Sequence, residues 1–279
     1  MKKRVLSVLT VLTMCLTMLP APVWAEGGDS GDFTVTGGTP GTDYSYAGGV
    51  LTVLTGTALT VSSGGTATAD RIAVAEGVTA NVTIDNLSID TTGGNAILLG
   101  SGSSLTLTLA GTNTLYPGVQ KAGICVPGGT ALTVNGSGTL NVYGGRIGSG
   151  GGGAGIGANK GESMGDITIS GGHITAGIAS ENGGAGIGWG GWGGSGGSIT
   201  VTGGVITSSG KGDEKSFHAS STTIQGGVIY VNDDKLDNVS KSNCLFSKNN
   251  AAVVYGNMTL NEDLTLGALI NLSIPEGAV

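Results

Sequence analysis

Three short patterns recur in the same order along this chain, and their recurrence restricts the fold more than any single motif does. The first is an alternating apolar–hydroxyl strand: Val82-Thr83-Ile84, Leu107-Thr108-Leu109, Leu132-Thr133-Val134, Ile167-Thr168-Ile169, Ile199-Thr200-Val201 and Thr223-Ile224. A Gly-Gly turn and a second apolar pair follow. Examples are Ile169-Ser170-Gly171-Gly172-His173-Ile174, Val201-Thr202-Gly203-Gly204-Val205-Ile206 and Ile224-Gln225-Gly226-Gly227-Val228-Ile229. The third pattern precedes the next strand, at Ala96-Ile97, Ala122-Gly123-Ile124, Ala154-Gly155-Ile156 and Ala185-Gly186-Ile187. Aligning Ile84, Leu109, Val134, Ile169, Val201 and Ile224 gives steps of 25, 25, 35, 32 and 23 residues. A fixed kernel with variable insertions is the mark of a solenoid.

Elementary physics selects the kind of solenoid. A two-residue alternation buries one face of each strand and leaves the other to solvent. With Gly at 56 of 279 positions, helices are disfavoured, because each interior glycine costs about 1 kcal/mol relative to alanine. Three brief strands per unit leave no room for crossover helices, so the chain must wind and pair each strand in parallel with its counterpart one coil on. Gly-Gly corners supply the positive φ that sharp turns need. The expectation is an all-β, right-handed parallel β-helix with three short strands per coil, its Ile, Val and Leu side chains stacked in inward files. About nine or ten coils would fit, at ~4.8 Å per coil. An antiparallel sandwich or a propeller is the weaker reading, since propeller blades carry aromatic signatures and aromatics here are 4%.

Residues 1–25 read as a signal peptide. Lys2-Lys3-Arg4 forms the basic start, Val5 to Leu19 the apolar run, and Val23-Trp24-Ala25 the cleavage site. The run is shorter than the ~20 residues a membrane span needs, so the mature chain is expected to be secreted or held at the bacterial cell surface. Residues 26–53 form a leader and an N-terminal capping coil containing Phe33, Tyr44 and Tyr46, and 54–231 carry the coils. Residues 232–250 lose the periodicity and read as a loop, whereas 251–279 resume it and read as further coils that stop in mid-pattern, as a fragment would. Cys125 and Cys244 lie 119 residues apart, several coils in this winding. That exceeds the ~7 Å Cα limit of a disulfide, so both thiols are expected to be unpaired.

Charge excludes some partners. The formal net charge is −7; losing Lys2, Lys3 and Arg4 from 12 cations set against 19 acids leaves −10. Nine cations over the mature chain give no basic footprint for nucleic acid or anionic lipid. The mature chain is therefore expected to bind neither, and it is expected to be a monomer.

Catalysis is disfavoured. Polysaccharide lyases and hydrolases need clustered carboxylates together with a cation that acts on the sugar acid. Here Arg71 and Arg146 fall at the ends of separate coils, and Asp233-Asp234 lies in the aperiodic stretch. The G-x-G-x-x-G at Gly188 to Gly193 and the G-x-S-x-G at Gly193 to Gly197 open no helix. His173 and His218 read as ordinary solenoid positions.

Binding has better candidates. Trp189 and Trp192 are the mature chain's only tryptophans and share one Gly-rich excursion. An exposed indole face suits the C–H surface of a pyranose, and Tyr143 is a weaker addition. One or both indoles folded back over the solenoid is the competing reading. Asp233, Asp234 and Asp237, with Asp213-Glu214, offer carboxylates for calcium, which takes six to eight oxygen ligands, although their spacing fits no EF-hand.

A family resemblance adds to this. Phe33-Thr34-Val35-Thr36-Gly37-Gly38-Thr39-Pro40-Gly41, Gly153-Ala154-Gly155-Ile156-Gly157 and Ile167-Thr168-Ile169-Ser170-Gly171-Gly172 resemble the exported β-helical repeat proteins of clostridia and relatives, some labelled carbohydrate-binding domain proteins. The resemblance implies an extracellular, non-catalytic role in binding polysaccharide or cell-wall glycan, or in adhesion; some such relatives bind calcium and acidic polysaccharides. A passive spacer within a larger surface protein is the alternative.

Overall fold

The computed structural model describes residues 29–145, 151–178, 183–210, 215–232, 239–248, 251–259 and 271–274. The expected signal peptide at 1–25 lies outside them. The described residues form 27 strands and no helix. The strands fall into three sheets, of eight, nine and ten strands, and each coil visits them in that order. The fourth coil shows the pattern. Ile124–Cys125 enters the eight-stranded sheet 1, Ala131–Gly136 the nine-stranded sheet 2 and Thr139–Gly144 the ten-stranded sheet 3. Between coils the pairing is parallel throughout. The chain is a parallel β-helix of seven complete coils with two strands of an eighth. This is fewer than the nine or ten expected, because the insertions lengthen the coils and both ends depart from the winding.

Alternation sets the core. Sheet 1 stacks Leu51, Ile72, Ile97, Ile124, Ile156, Ile187 and Phe217 in register. Sheet 2 stacks Leu59, Val82, Leu107, Val134, Ile169, Val201 and Ile224. Sheet 3 adds Leu140, Ile174, Ile206, Ile229 and Phe246. All these side chains are buried in one continuous apolar cluster. Burying an aliphatic side chain of this size contributes about 1.5–3 kcal/mol, and each coil gains it only by sharing a face with its neighbours.

One register differs from the sequence alignment. Val134 pairs with Leu107, not Leu109, and Leu109 faces Gly136. In the fourth coil the inward position level with Leu109 is Gly136, whose φ is +96°, so the last inward side chain of that strand, Val134, comes two positions earlier. Because side chains alternate with a period of two, a slip of two residues preserves which face each one takes. The inward residues were therefore legible although their partners were not.

The recurring Ala-Gly-Ile-Gly segments follow from close backbone approach. Gly157 and Gly188 both have φ +140°. A Cβ on Gly157 would strike the carbonyl of Gly188, and one on Gly188 the carbonyl of His218 in the next coil. In each segment a backbone hydrogen bond closes a tight loop that holds the isoleucine inward. Ala154 N–H donates to Ala158 C=O at 3.0 Å and Ala185 N–H to Trp189 C=O at 2.9 Å.

Both ends depart from simple winding. At the start, Tyr44–Ala47 runs antiparallel to Val50–Val53, and Thr34–Thr36 antiparallel to Ala58–Ser62. Phe33 and Tyr44 are buried there. At the other end, the stretch 232–250, expected as a loop, carries both strands of the eighth coil: Val239–Lys241 pairs with Ser221–Ile224 and Cys244–Lys248 with Val228–Val231. The periodicity is masked because two inward files end in cations, with Lys241 opposite Ile224 and Lys248 opposite Val231. Lys241 Nζ lies 4.8 Å from the Phe246 ring centroid and 5.6 Å from that of Tyr255, and desolvation lowers its pKa. Ala251–Tyr255 then reverses and pairs antiparallel with Cys244–Lys248, while Asn271–Ser273 pairs with it in parallel; the rest of the stretch 251–279 beyond 259 lies outside the described residues, apart from Ile274.

Candidate functional site

The insertions after Ile156 and Ile187 fold back over the outside of sheet 1 and carry the aromatic candidates. Asn159, itself buried, anchors the first insertion. Its Oδ1 accepts from Ala122 N–H at 2.9 Å and from Asn95 Nδ2 at 2.6 Å, while its Nδ2 donates to Glu162 at 3.0 Å. Lys160 N–H then donates to Gln120 C=O at 3.3 Å. The second insertion lies beside the first. Gly161 N–H donates to Gly191 C=O at 3.0 Å and Gly191 N–H to Gly152 C=O at 2.8 Å. A Cβ on Gly190 would collide with the backbone of Asn159, so the glycines of this excursion let two chain segments touch.

The two tryptophans have opposite environments. Trp189 is half-buried against the core. Its Nε1 donates to Gly196 C=O at 2.8 Å, and its ring lies 4.2 Å from that of His218, tilted by 39°. A face covered by His218 and an engaged N–H make it an anchor of the loop, which corrects its expected role as a stacking residue. The cause is register: Gly188 pairs with His218, which sets the imidazole beside the next residue, Trp189. Trp192 is the reverse case, with 70% of its surface exposed and a φ of +65°. Positive φ is rare for a bulky residue and costs about 1–3 kcal/mol. Lys160 Nζ stands 5.2 Å from its ring centroid.

Tyr143 lies elsewhere, on the outer face of sheet 3. It stacks on Tyr116 with ring centroids 4.5 Å apart and planes within 3°, and its neighbour in the next coil is Gly177. One face of Tyr143 is taken by Tyr116, and Tyr143 stands on sheet 3 whereas Trp189 and Trp192 belong to the insertion after Ile187.

Val119 and Lys160 are additions that sequence reasoning missed. Val119 is 53% exposed and precedes Gln120, whose φ is +62°. Gln120 is the residue to which Lys160 is tied. Lys160 thus joins the segment that carries Val119 and Lys121 to Trp192, through its backbone bond to Gln120 and its ammonium beside the indole. The available signal was the Ala-Gly-Ile-Gly repeat, since insertions that follow identical turns in consecutive coils emerge side by side.

Asp233, Asp234 and Asp237, together with Asp213, Glu214 and Arg146, lie outside the described residues. Among the described residues no group of three or more His, Cys, Asp or Glu side chains could hold a metal ion. Cys125 and Cys244 are both free and buried. Burial pushes the Cys125 thiol up to about 12, with the Glu162 carboxylate adding to the shift. Burial also raises the pKa of Cys244.

No family model, curated protein or solved structure matches this chain.

Proposed function

We propose that the chain is an exported, non-catalytic module that binds polysaccharide or cell-wall glycan on the outside of its β-helix, with Trp192 as the stacking residue. The observation that carries this reading is an indole held 70% exposed in a backbone conformation unfavourable for it. A folded chain retains such strain where the surroundings over-determine it, commonly at a functional site. The indole offers a flat apolar face to the C–H surface of a sugar ring. Lys160 beside it supplies ammonium donors for hydroxyl oxygens. A glycan also fits the geometry, because a rigid elongated scaffold presents one long surface to a polymer.

Retention on insoluble polysaccharide tests the reading. Trp192→Ala should abolish retention and leave the melting temperature unchanged. Retention equal to that of the parent would overturn the assignment of Trp192, and a parent chain that no polysaccharide retains would favour a passive spacer.

A further inference from the structure

A cleft of about 320 Å³ opens at the corner between sheets 2 and 3 in the last coils, away from the tryptophan-bearing insertions. Its floor is the bare backbone of Gly203-Gly204 and Gly226-Gly227. These corners cannot carry side chains. Gly204 and Gly227 have φ of +92° and +86°, and a Cβ on Gly226 would meet the carbonyl of Thr202. In the eighth coil the corresponding pair is Asn243-Cys244, and the left-handed residue there is Asn243, with φ +48°. Asparagine tolerates that conformation and brings a side chain where earlier corners have none. It ends the open corner with a wall, which Asn257 and Met258 complete.

The lining has a definite chemistry. Val205, Val228 and Met258 are apolar, and they belong to a small cluster on the outer face of sheet 3, separate from the core. Asn257 N–H donates to Asn243 Oδ1 at 3.2 Å, which orients the amide, and its Nδ2 has no hydrogen-bond partner among the described residues. Among the described residues no hydrogen bond engages the Gln225 side chain, and Thr202 supplies a hydroxyl at the same rim. Among the described residues, none that lines the cleft is charged or aromatic.

We propose that this cleft is a second binding site, which takes an uncharged saccharide. An apolar patch beside convergent amides and a hydroxyl matches a sugar ring, with its apolar C–H face and its equatorial hydroxyls. The volume lies at the lower end of ligand pockets, about 300–1,000 Å³, so it holds one or two rings. An anionic ligand would find no cation among the described lining residues. A peptide added as a strand needs a free sheet edge, and the strand Val228–Val231 is already paired on both sides. The site shares its ligand class with the Trp192 reading and none of its residues, so each can fail alone.

The test titrates the full chain with uncharged hexasaccharides of glucose, mannose and N-acetylglucosamine while amide shifts are followed by NMR. At least one probe should shift Gly203 to Val205 and Gly226 to Val228. Gln225→Ala and Asn243→Gly should each weaken that binding tenfold or more. Asn243→Gly removes the amide yet keeps the left-handed corner, so its melting temperature should fall by no more than the loss of the one exposed hydrogen bond from Asn257 allows, and the fold should remain intact. Trp192→Ala should leave these shifts intact while abolishing retention on insoluble polymer. The proposal is overturned if none of the three probes shifts these amides, or if both variants bind as tightly as the parent.

Discussion

Ile169 is the position at which the inward files are best tested. It has no exposed surface and stands in register between Val134 and Val201 of the adjoining coils. Truncating a buried isoleucine to alanine costs about 2–5 kcal/mol, and the cost rises with the cavity that remains. Here the cavity cannot close. Ser170 N–H is bonded to Val134 C=O at 2.9 Å and Thr202 N–H to Ile169 C=O at 2.8 Å, so the ladders on both sides hold the coils apart. Ile169→Ala should therefore cost about 4 kcal/mol, in the upper half of that range. Thr168, its immediate neighbour, points outward in the same strand, and Thr168→Ala should cost no more than about 1 kcal/mol. Urea denaturation of both variants measures the difference. Because coils stabilise one another only through their shared faces, amide exchange at Val134 and Val201 should also quicken in Ile169→Ala. Equal losses in the two variants, or a larger loss from Thr168→Ala, would refute the assignment of the inward face.

Other consequences follow from the same geometry. Gly188→Ala should destabilise by at least about 1–3 kcal/mol from backbone strain alone, since its Cβ would also strike the His218 carbonyl; thermal melting checks this. Trp189→Ala should cost about 2–3 kcal/mol, less than a fully buried tryptophan would, while Trp192→Ala leaves stability unchanged. With the Cys125 thiol raised from 9.0 to about 12, the folded state keeps it protonated where the unfolded chain ionises. Its contribution to stability is complete below about pH 9 and is lost as pH rises towards about 12, which alkaline denaturation of Cys125→Ala against the parent would reveal. Lys241 is the opposite case. Desolvation lowers its pKa from 10.5, so its charged form opposes folding at neutral pH. Lys241→Met should raise the melting temperature, by an amount that shrinks as pH approaches 10.5.

The winding could be read from the chain because its cause is local: alternation fixes faces, and Gly-Gly fixes corners. What the sequence hid was non-local. The slip that pairs Val134 with Leu107 leaves the inside–outside pattern unchanged. The eighth coil escaped notice because Lys241 and Lys248 occupy inward positions where apolar residues were sought. Trp189 and Trp192 look alike in sequence, and only the arrival of His218 one coil later separates an anchor from an exposed ring. The cleft beside Asn243 depends on a chain reversal after Lys248 that no local pattern announces.

The most direct test of the central claim, parallel coils stacked in the observed register, is disulfide trapping between engineered cysteine pairs on sheet 2. Thr106 and Thr133 are partners across adjacent coils, where neighbouring strands lie about 4.8 Å apart, within disulfide reach. Thr108 and Thr133 lie on a diagonal of about 7–8 Å, beyond it, although the alignment of Leu109 with Val134 would make them partners. The structure predicts rapid oxidation of the Thr106→Cys/Thr133→Cys chain and none of the Thr108→Cys/Thr133→Cys chain. The reverse outcome would contradict the register, and failure of both pairs to oxidise would contradict the stacking itself.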